Sequence, residues 1–324
     1  MNRRTVCLLF CILSVWAVAS SAAAPHPREP AVGISESSSG TNSEKTAILG
    51  MIAYSDPKAQ FKAIAPLADY LGQAAHLQVN LKLYPDYFSL LNDIDHESLD
   101  LAVVSPIVFA FCMDDPTLTY LATSLEAGRP FYHAAILARK DSNILSVKSL
   151  SEKKIAFVDP YSASGYVYPA AFLLESGLVP NGKPSYIPVF SGSHEKVLRA
   201  LLEGKVDAAA TYENFFAFAG HKIAGRENLS IGDFRVLRLL PEQIPNDAVV
   251  CRAALGTSTI QLLERALKGY EAERALIDSP LKGVFYTGFK PGQHAAYGAV
   301  RTYLEKLSGS VLPPADDNRP QDAK

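Results

Sequence analysis

Cysteine is scarce in this chain of 324 residues, with four in all, and two of them, Cys7 and Cys11, lie in an apolar run near the N-terminus. Only Cys112 and Cys251 remain beyond it, far apart in sequence. Two cysteines make no disulfide framework, so a small disulfide-stapled scaffold is excluded; the pair can bridge or stay as buried free thiols. Charge of one sign is also missing: 31 Lys and Arg against 33 Asp and Glu leave a formal net charge of −2. That balance argues against a nucleic-acid partner, which needs a basic face to replace phosphate counterions. Long apolar runs are absent after residue 19, so no later segment reads as a membrane span. The first run, over 6–19, follows Arg3 and Arg4 and precedes Ser20-Ser21-Ala22-Ala23-Ala24. Basic start, short apolar stretch and small residues together read as a secretory signal peptide over 1–23.

The usual catalytic and metal-binding patterns are missing as well. No H-E-x-x-H occurs, and the seven histidines are scattered without metal-ligand spacing. No G-x-S-x-G surrounds any serine. Gly177-Leu-Val-Pro-Asn-Gly182-Lys183-Pro184 comes within one residue of a phosphate-binding P-loop, but Pro184 replaces the Ser or Thr needed for Mg²⁺. It also runs helix–loop–strand, the reverse of the required context. The sequence therefore calls for no metal and no cofactor, and for no enzyme activity. Asn228-Leu229-Ser230 fits a glycosylation sequon, a triplet common by chance.

What the chain does contain is alternation. Residues 24–45 and 308–324 are rich in Pro, Ser and Gly without hydrophobic period, and read as a disordered linker and tail. Between them, strands are predicted over 47–54, 78–84, 99–104, 118–124 and 131–139, with helices over 57–74 and 86–94. The first helix carries Phe61, Ile64, Ala65, Ala68 and Leu71 on one face at helical spacing. Ser105-Pro106 gives another helix start, a capping hydroxyl followed by proline. A second set follows: strands over 154–158, 185–189 and 206–210, and helices over 165–176, 194–203 and 211–219. Strands over 234–239 and 248–251 and helices over 257–275 and 291–307 complete the chain. Such alternation implies an α/β protein whose mostly parallel sheets are flanked by helices. Two sets imply two lobes, 46–140 with 247–307 and 141–246, joined by hinge crossings near 133–140 and 247–252.

Ligands in open α/β sheets bind beyond the carboxyl ends of strands. Ser105, Ser162 and Ser164 fall there, each before a helix whose first amides have no internal partner and carry the positive end of the dipole. They can cap those helices or help hold an oxyanion. His194, Glu213 and Asp247 also stand at element ends, where caps and solvated groups are common. Together they would form an acidic pocket beside the serine loop, and an anion site next to an acidic site complements a zwitterion. His133, in a strand, reads as a packed structural histidine.

At these residues the chain resembles the periplasmic phosphonate-binding family of ABC importers. Its serine loop stands here as Asp159-Pro160-Tyr161-Ser162-Ala163-Ser164-Gly165 with Pro169, and its P-D-Y run as Pro85-Asp86-Tyr87. Its histidine after a small-residue turn is His194 in Ser191-Gly192-Ser193-His194, and its I-P-x-D segment is Ile244-Pro245-Asn246-Asp247. The likeness covers about 46–305. It implies a type II periplasmic binding protein that closes on a phosphonate, phosphite or phosphate in the interlobe cleft and delivers it, as a monomer, to an inner-membrane ABC permease. It implies further that Tyr87, Ser162 and Ser164 hold the oxyanion, while His194, Glu213 and Asp247 face the amine of an aminoalkylphosphonate. Ala163 and Val104 replace a hydroxyl and a tyrosine of the family pattern, and each change removes a potential donor. A sensor of the same fold, or an enzyme using the same cleft, are the rival readings.

Overall fold

The computed structural model describes residues 45–53, 57–215, 223–226, 229–270 and 286–308. The expected signal peptide, almost all of the linker and tail, the Asn228 sequon and the ends of the helices expected over 211–219 and 257–275 lie outside the described residues.

The chain opens with β1 (Lys45–Ile52), α1 (Pro57–Ala75) and β2 (Leu77–Tyr84), the two strands pairing in parallel. After α2 (Tyr87–Asp95), β3 (Leu101–Val104) pairs in parallel with the other side of β1. All four residues of β3 are buried, as expected of a central strand covered on both faces. Helix α3 (Pro106–Cys112) then leads to β4 (Leu118–Leu125). Of the stripe expected on α1, Ile64, Ala68 and Leu71 are buried, joined by Leu67, whereas Phe61 is exposed. The buried face is rotated because α1 packs against both the sheet and a late helix carrying Leu263, Ala266 and Leu267.

The expected strand over 131–139 is two strands, broken at His133. β5 (Phe131–Tyr132) pairs with a later strand, and β6 (Ala134–Arg139) enters a second sheet. A boundary at residue 140 would leave β6 with the first lobe; its hydrogen bonds place it in the second sheet instead. That sheet adds β7 (Lys154–Phe157), β8 (Ile187–Phe190), β9 (Ala208–Tyr212) and β10 (Phe234–Leu239), in the order β10-β6-β9-β7-β8. Helices α4 (Tyr168–Glu175) and α5 (His194–Leu202) lie between its strands in the chain. The helix expected over 211–219 is corrected at its start: Thr211 and Tyr212 end β9, and Glu213 and Asn214 form a turn. Along β6, Ala134, Ile136 and Ala138 face one core while Ala135 and Leu137 face another, the period of two expected of a strand.

The return crossing is β11 (Ile244–Pro245), which pairs antiparallel with β5, so the two crossings form one short ribbon. β12 (Ala248–Arg252) then inserts antiparallel between β3 and β4. α6 (Thr257–Gly269), β13 (Gly288–Lys290) and α7 (Tyr297–Ser308) complete the fold, and the first sheet has the order β13-β4-β12-β3-β1-β2. The result is a two-lobed α/β fold with helix-flanked sheets.

Helix α7 does not stay with one lobe. Val300 and Leu307 are fully buried in the core that holds Ile107 and Ala110 of α3 together with Phe157 and Leu173 of the second lobe. Tyr303 stacks on Tyr168 with ring centroids 4.2 Å apart. Burying an aliphatic side chain of this size contributes about 1.5–3 kcal/mol, so α7 fastens the two lobes at the back of the cleft. Cys112 and Cys251 are buried free thiols, which settles the cysteine alternatives. Among the described residues no helix is long and apolar enough to cross a membrane.

Candidate ligand-binding site

The serine loop begins where β7 ends. The Asp159 carboxylate accepts the Tyr161 amide at 2.8 Å, and the Asp159 carbonyl accepts the Ser162 amide at 2.9 Å. The Ser162 carbonyl then accepts two amides, from Tyr166 and Val167, each at 3.0 Å. This widens the first turn, Ala163–Val167, into a π-turn before α4 proper. The helix therefore begins two residues earlier than the sequence pattern suggested. Such turns recur at functional sites because they open the backbone ladder. Gly165 is required: a Cβ there would meet the Val158 side chain at 2.4 Å. The Ser162 hydroxyl accepts the Gly165 amide at 3.1 Å, so the capping reading of Ser162 is correct as far as it goes. The amides of Ala163 and Ser164, in the first turn, have no partner within the helix.

Two tyrosines meet this loop. Tyr87 is the first residue of α2, set by the Asp86 cap, whose carboxylate accepts the Ser89 amide at 2.7 Å. Its hydroxyl lies close to Ser162, and that of Tyr132, on the crossing ribbon, close to Ser164. Burial pushes both phenols well up, reinforced by Asp159 and Asp247 at Tyr87 and by Asp247 and Glu126 at Tyr132. Both stay neutral donors. First lobe, ribbon and second lobe thus converge on Ser162 and Ser164, both buried.

The opposite side of the cluster is acidic. Asp247, just before β12, accepts the Tyr286 hydroxyl at 2.8 Å. Glu126 follows β4 in a two-residue hairpin closed by reciprocal 3.0 Å backbone bonds with Arg129. Ala127 and Gly128 both take positive φ, 49° and 75°, as a type I′ turn demands. Burial, then Asp247, pushes the Glu126 carboxyl up to about 8, against the opposing pull of Arg129. The phenols of Tyr212 and Tyr286 are pushed up by burial and then by Glu126 and Asp247, which places them in the same cluster. Tyr132 and Tyr212 meet edge to face at 5.5 Å.

Arg129 crosses the cleft, reaching Asn214 Oδ1 at 3.2 Å and Glu213 Oε1 at 3.6 Å. His194 stands behind Tyr212, their rings 4.8 Å apart, with Nδ1 2.9 Å from the Thr211 hydroxyl. Burial pushes its imidazole down to about 3, so it is neutral.

The structure thus brings Tyr87, Ser162, Ser164 and Asp247 around one space, with Glu213 at its edge and His194 one ring away. Ser105 is not joined to them among the described contacts; its hydroxyl caps α3, accepting the Val108 amide at 3.4 Å. Glu126, Arg129, Tyr132, Tyr212 and Tyr286 complete the cluster without having stood out in the sequence. For the first two a signal existed, since Ala127-Gly128 between a strand and a short extended run marks a hairpin turn. His133, as expected, is structural, with Nδ1 near the Leu240 and Glu242 carbonyls at 3.0 and 3.1 Å.

Chemically, one end of the cluster offers neutral hydroxyl and amide donors, which bind an oxyanion through dipoles rather than a counter-charge. The other end offers carboxyls. No group of His, Cys, Asp or Glu suited to a metal occurs among the described residues.

The family model described as the periplasmic substrate-binding protein of phosphonate ABC transporters matches residues 49–297. The phosphate-import protein PhnD of Mycolicibacterium smegmatis is 32% identical over 168 residues, 49% of this chain and 51% of that protein. The chain therefore matches about half the length of this curated relative. The fold is similar to that of PhnD1 from Prochlorococcus marinus in complex with methylphosphonate, with a TM-score of 0.67 at 17% identity, covering 82% of this chain and 98% of that one. It is similar also to a binding-protein component of a Pseudomonas aeruginosa phosphonate transporter, with a TM-score of 0.65 at 19% identity, over 81% and 87% of the two chains.

Proposed function

Because the chain belongs to the family of periplasmic substrate-binding proteins of phosphonate ABC transporters, we propose that it captures an amine-bearing phosphonate in the cleft between its lobes. The observation that carries this reading is the contrast within one buried cluster. Tyr87, Tyr132, Ser162 and Ser164 bring hydroxyls to it, and Asp247 and Glu126 bring carboxyls. Inorganic phosphate offers a carboxylate only its P–OH and no positive charge, and burying unpaired negative charge is costly. An ammonium beside the oxyanion offsets that cost. In this reading Tyr87, Ser162, Ser164 and the first-turn amides hold the phosphonate oxygens. Asp247 faces the amine, with Glu213 and the neutral His194 flanking it, and Ser105 contributes through the helix it caps.

The lobes are 46–133 with 246–307 and 134–245, hinged at the β5–β11 ribbon. Closure joins Tyr87 to Ser162 and Arg129 to Asn214, both pairs spanning the cleft. The loaded, monomeric protein delivers its ligand to an ABC permease of the inner membrane, having been exported by its 1–23 signal. Family members are transport proteins, and this chain performs no turnover.

Side-by-side calorimetry with 2-aminoethylphosphonate, methylphosphonate, phosphite and phosphate tests the reading. Tightest binding is expected for 2-aminoethylphosphonate. A preference for any of the other three would overturn the ligand class.

A further inference from the structure

We propose that Glu126, which lies outside every motif shared with the family, is the specificity-determining side chain that favours a phosphonate carrying a cationic nitrogen. The inference rests on the reading of the cleft given above and names the residue behind its amine preference.

The Oε2 atom of Glu126 is buried without a hydrogen-bond partner among the described residues. A buried polar atom in that condition is uncommon in a native fold and calls for a specific explanation. Asp247 receives the Tyr286 hydroxyl, and Glu213, whose Oε1 is likewise buried without a hydrogen-bond partner among the described residues, has the Arg129 guanidinium 3.6 Å away as an ion-pair partner. Arg129 shares a hairpin with Glu126 yet directs its guanidinium across the cleft to Asn214 and Glu213. The groups facing Glu126 are Asp247, Arg129, Tyr132, Tyr212 and Tyr286. The tight turn sets the backbone at Glu126 through its bridge to Arg129.

Glu126 is thus placed to pair with a ligand cation in concert with Asp247. Without such a cation, burial and then the nearby Asp247 disfavour the charge on Glu126, which keeps a proton on it near neutral pH. When an ammonium enters, that proton leaves to solvent and the carboxylate pairs with the nitrogen. A phosphonate without nitrogen leaves the proton in place.

Calorimetry of the full chain at pH 7, with 2-aminoethylphosphonate and ethylphosphonate as probes, separates the possibilities. Glu126→Gln is nearly isosteric and mimics the protonated carboxyl, so thermal stability should not fall. It should weaken 2-aminoethylphosphonate at least about tenfold and leave ethylphosphonate within about twofold. In two buffers of different ionisation enthalpy, proton release on binding 2-aminoethylphosphonate should drop from wild type to variant by most of roughly one proton. Glu213→Gln, at the edge of the site and paired with Arg129, should shift the ratio of the two probes less than Glu126→Gln does. Equal loss of both probes in Glu126→Gln, no loss of either, or selective loss of the amine-bearing probe in Glu213→Gln alone would overturn the proposal. If wild-type protein binds neither probe, the reading of the cleft fails, and the role of Glu126 fails with it. If wild type prefers 2-aminoethylphosphonate and Glu126→Gln keeps that preference, only the role of Glu126 is lost.

Discussion

At the serine end of the cleft, one continuous loop from Val158 to Tyr168 supplies most of the donors. At the acidic end, Glu126, Glu213, Asp247 and Tyr286 come from four separate segments. The first arrangement is backbone geometry, with a required glycine and a widened turn, and its parts depend on one another. The second is a meeting of side chains whose charges interact at a distance while their backbones remain independent. Damage at the serine end should therefore abolish binding of any phosphonate. Changes at the acidic end should redistribute preference among ligands.

The largest effect is expected from replacing both Ser162 and Ser164 by Ala. Hydrogen bonds to charged groups contribute about 1.5–3 kcal/mol each, so affinity for every phosphonate should fall by roughly 2–6 kcal/mol. Calorimetry with unchanged affinity would remove the loop from the site. Next, Asp247→Asn should weaken 2-aminoethylphosphonate by about 1.5–3 kcal/mol and leave methylphosphonate equal or tighter. Equal loss for both ligands would make the acidic end structural and erase the contrast.

Titration sharpens the comparison, because the two ends of the acidic cluster act in opposite senses. His194 is pushed from its ordinary 6.5 down to about 3. Its contribution to stability is full above pH 6.5 and is lost as pH falls towards 3, since the unfolded chain takes up the proton first. Glu126 is raised from 4.5 to about 8. Its contribution is full below pH 4.5 and is lost as pH rises through 8. Each group can change stability by at most about 1.4 kcal/mol per pH unit within its window. Urea denaturation across pH should show a flatter acid limb for His194→Gln and a flatter alkaline limb for Glu126→Gln. Unchanged limbs would mean that neither group is buried in solution.

The smallest effect belongs to Arg129. Its contacts with Glu213 and Asn214 are partly solvent-exposed, and such pairs contribute about 0–1 kcal/mol. Arg129→Ala should loosen closure and weaken all ligands slightly and alike. A selective effect on the amine-bearing ligand would mean that Arg129 acts through Glu126 rather than as a clasp.

Local chemistry made the serine loop legible in advance. Hydroxyls before a helix, a glycine where no Cβ fits and a preceding strand are all neighbours in the chain, so their spacing carries their geometry. The alternation of strands and helices was legible for the same reason, down to most of the buried face of α1. Sequence spacing could not say that β6 leaves the first sheet, that α7 fastens both lobes or that α4 begins with a π-turn, because packing against distant segments decides each. The acidic end is the clearest case. Asp247 and Glu213 could be picked out by family resemblance, but the ion pair of Glu213 with Arg129 arises only when the 126–129 hairpin meets the turn after β9. By itself the sequence determined the two-lobed α/β fold and the serine loop, since both follow from local periodicity and turn chemistry. Which carboxyl gains an ion-pair partner depends on distances between residues far apart in the chain, and only the tertiary structure decided it.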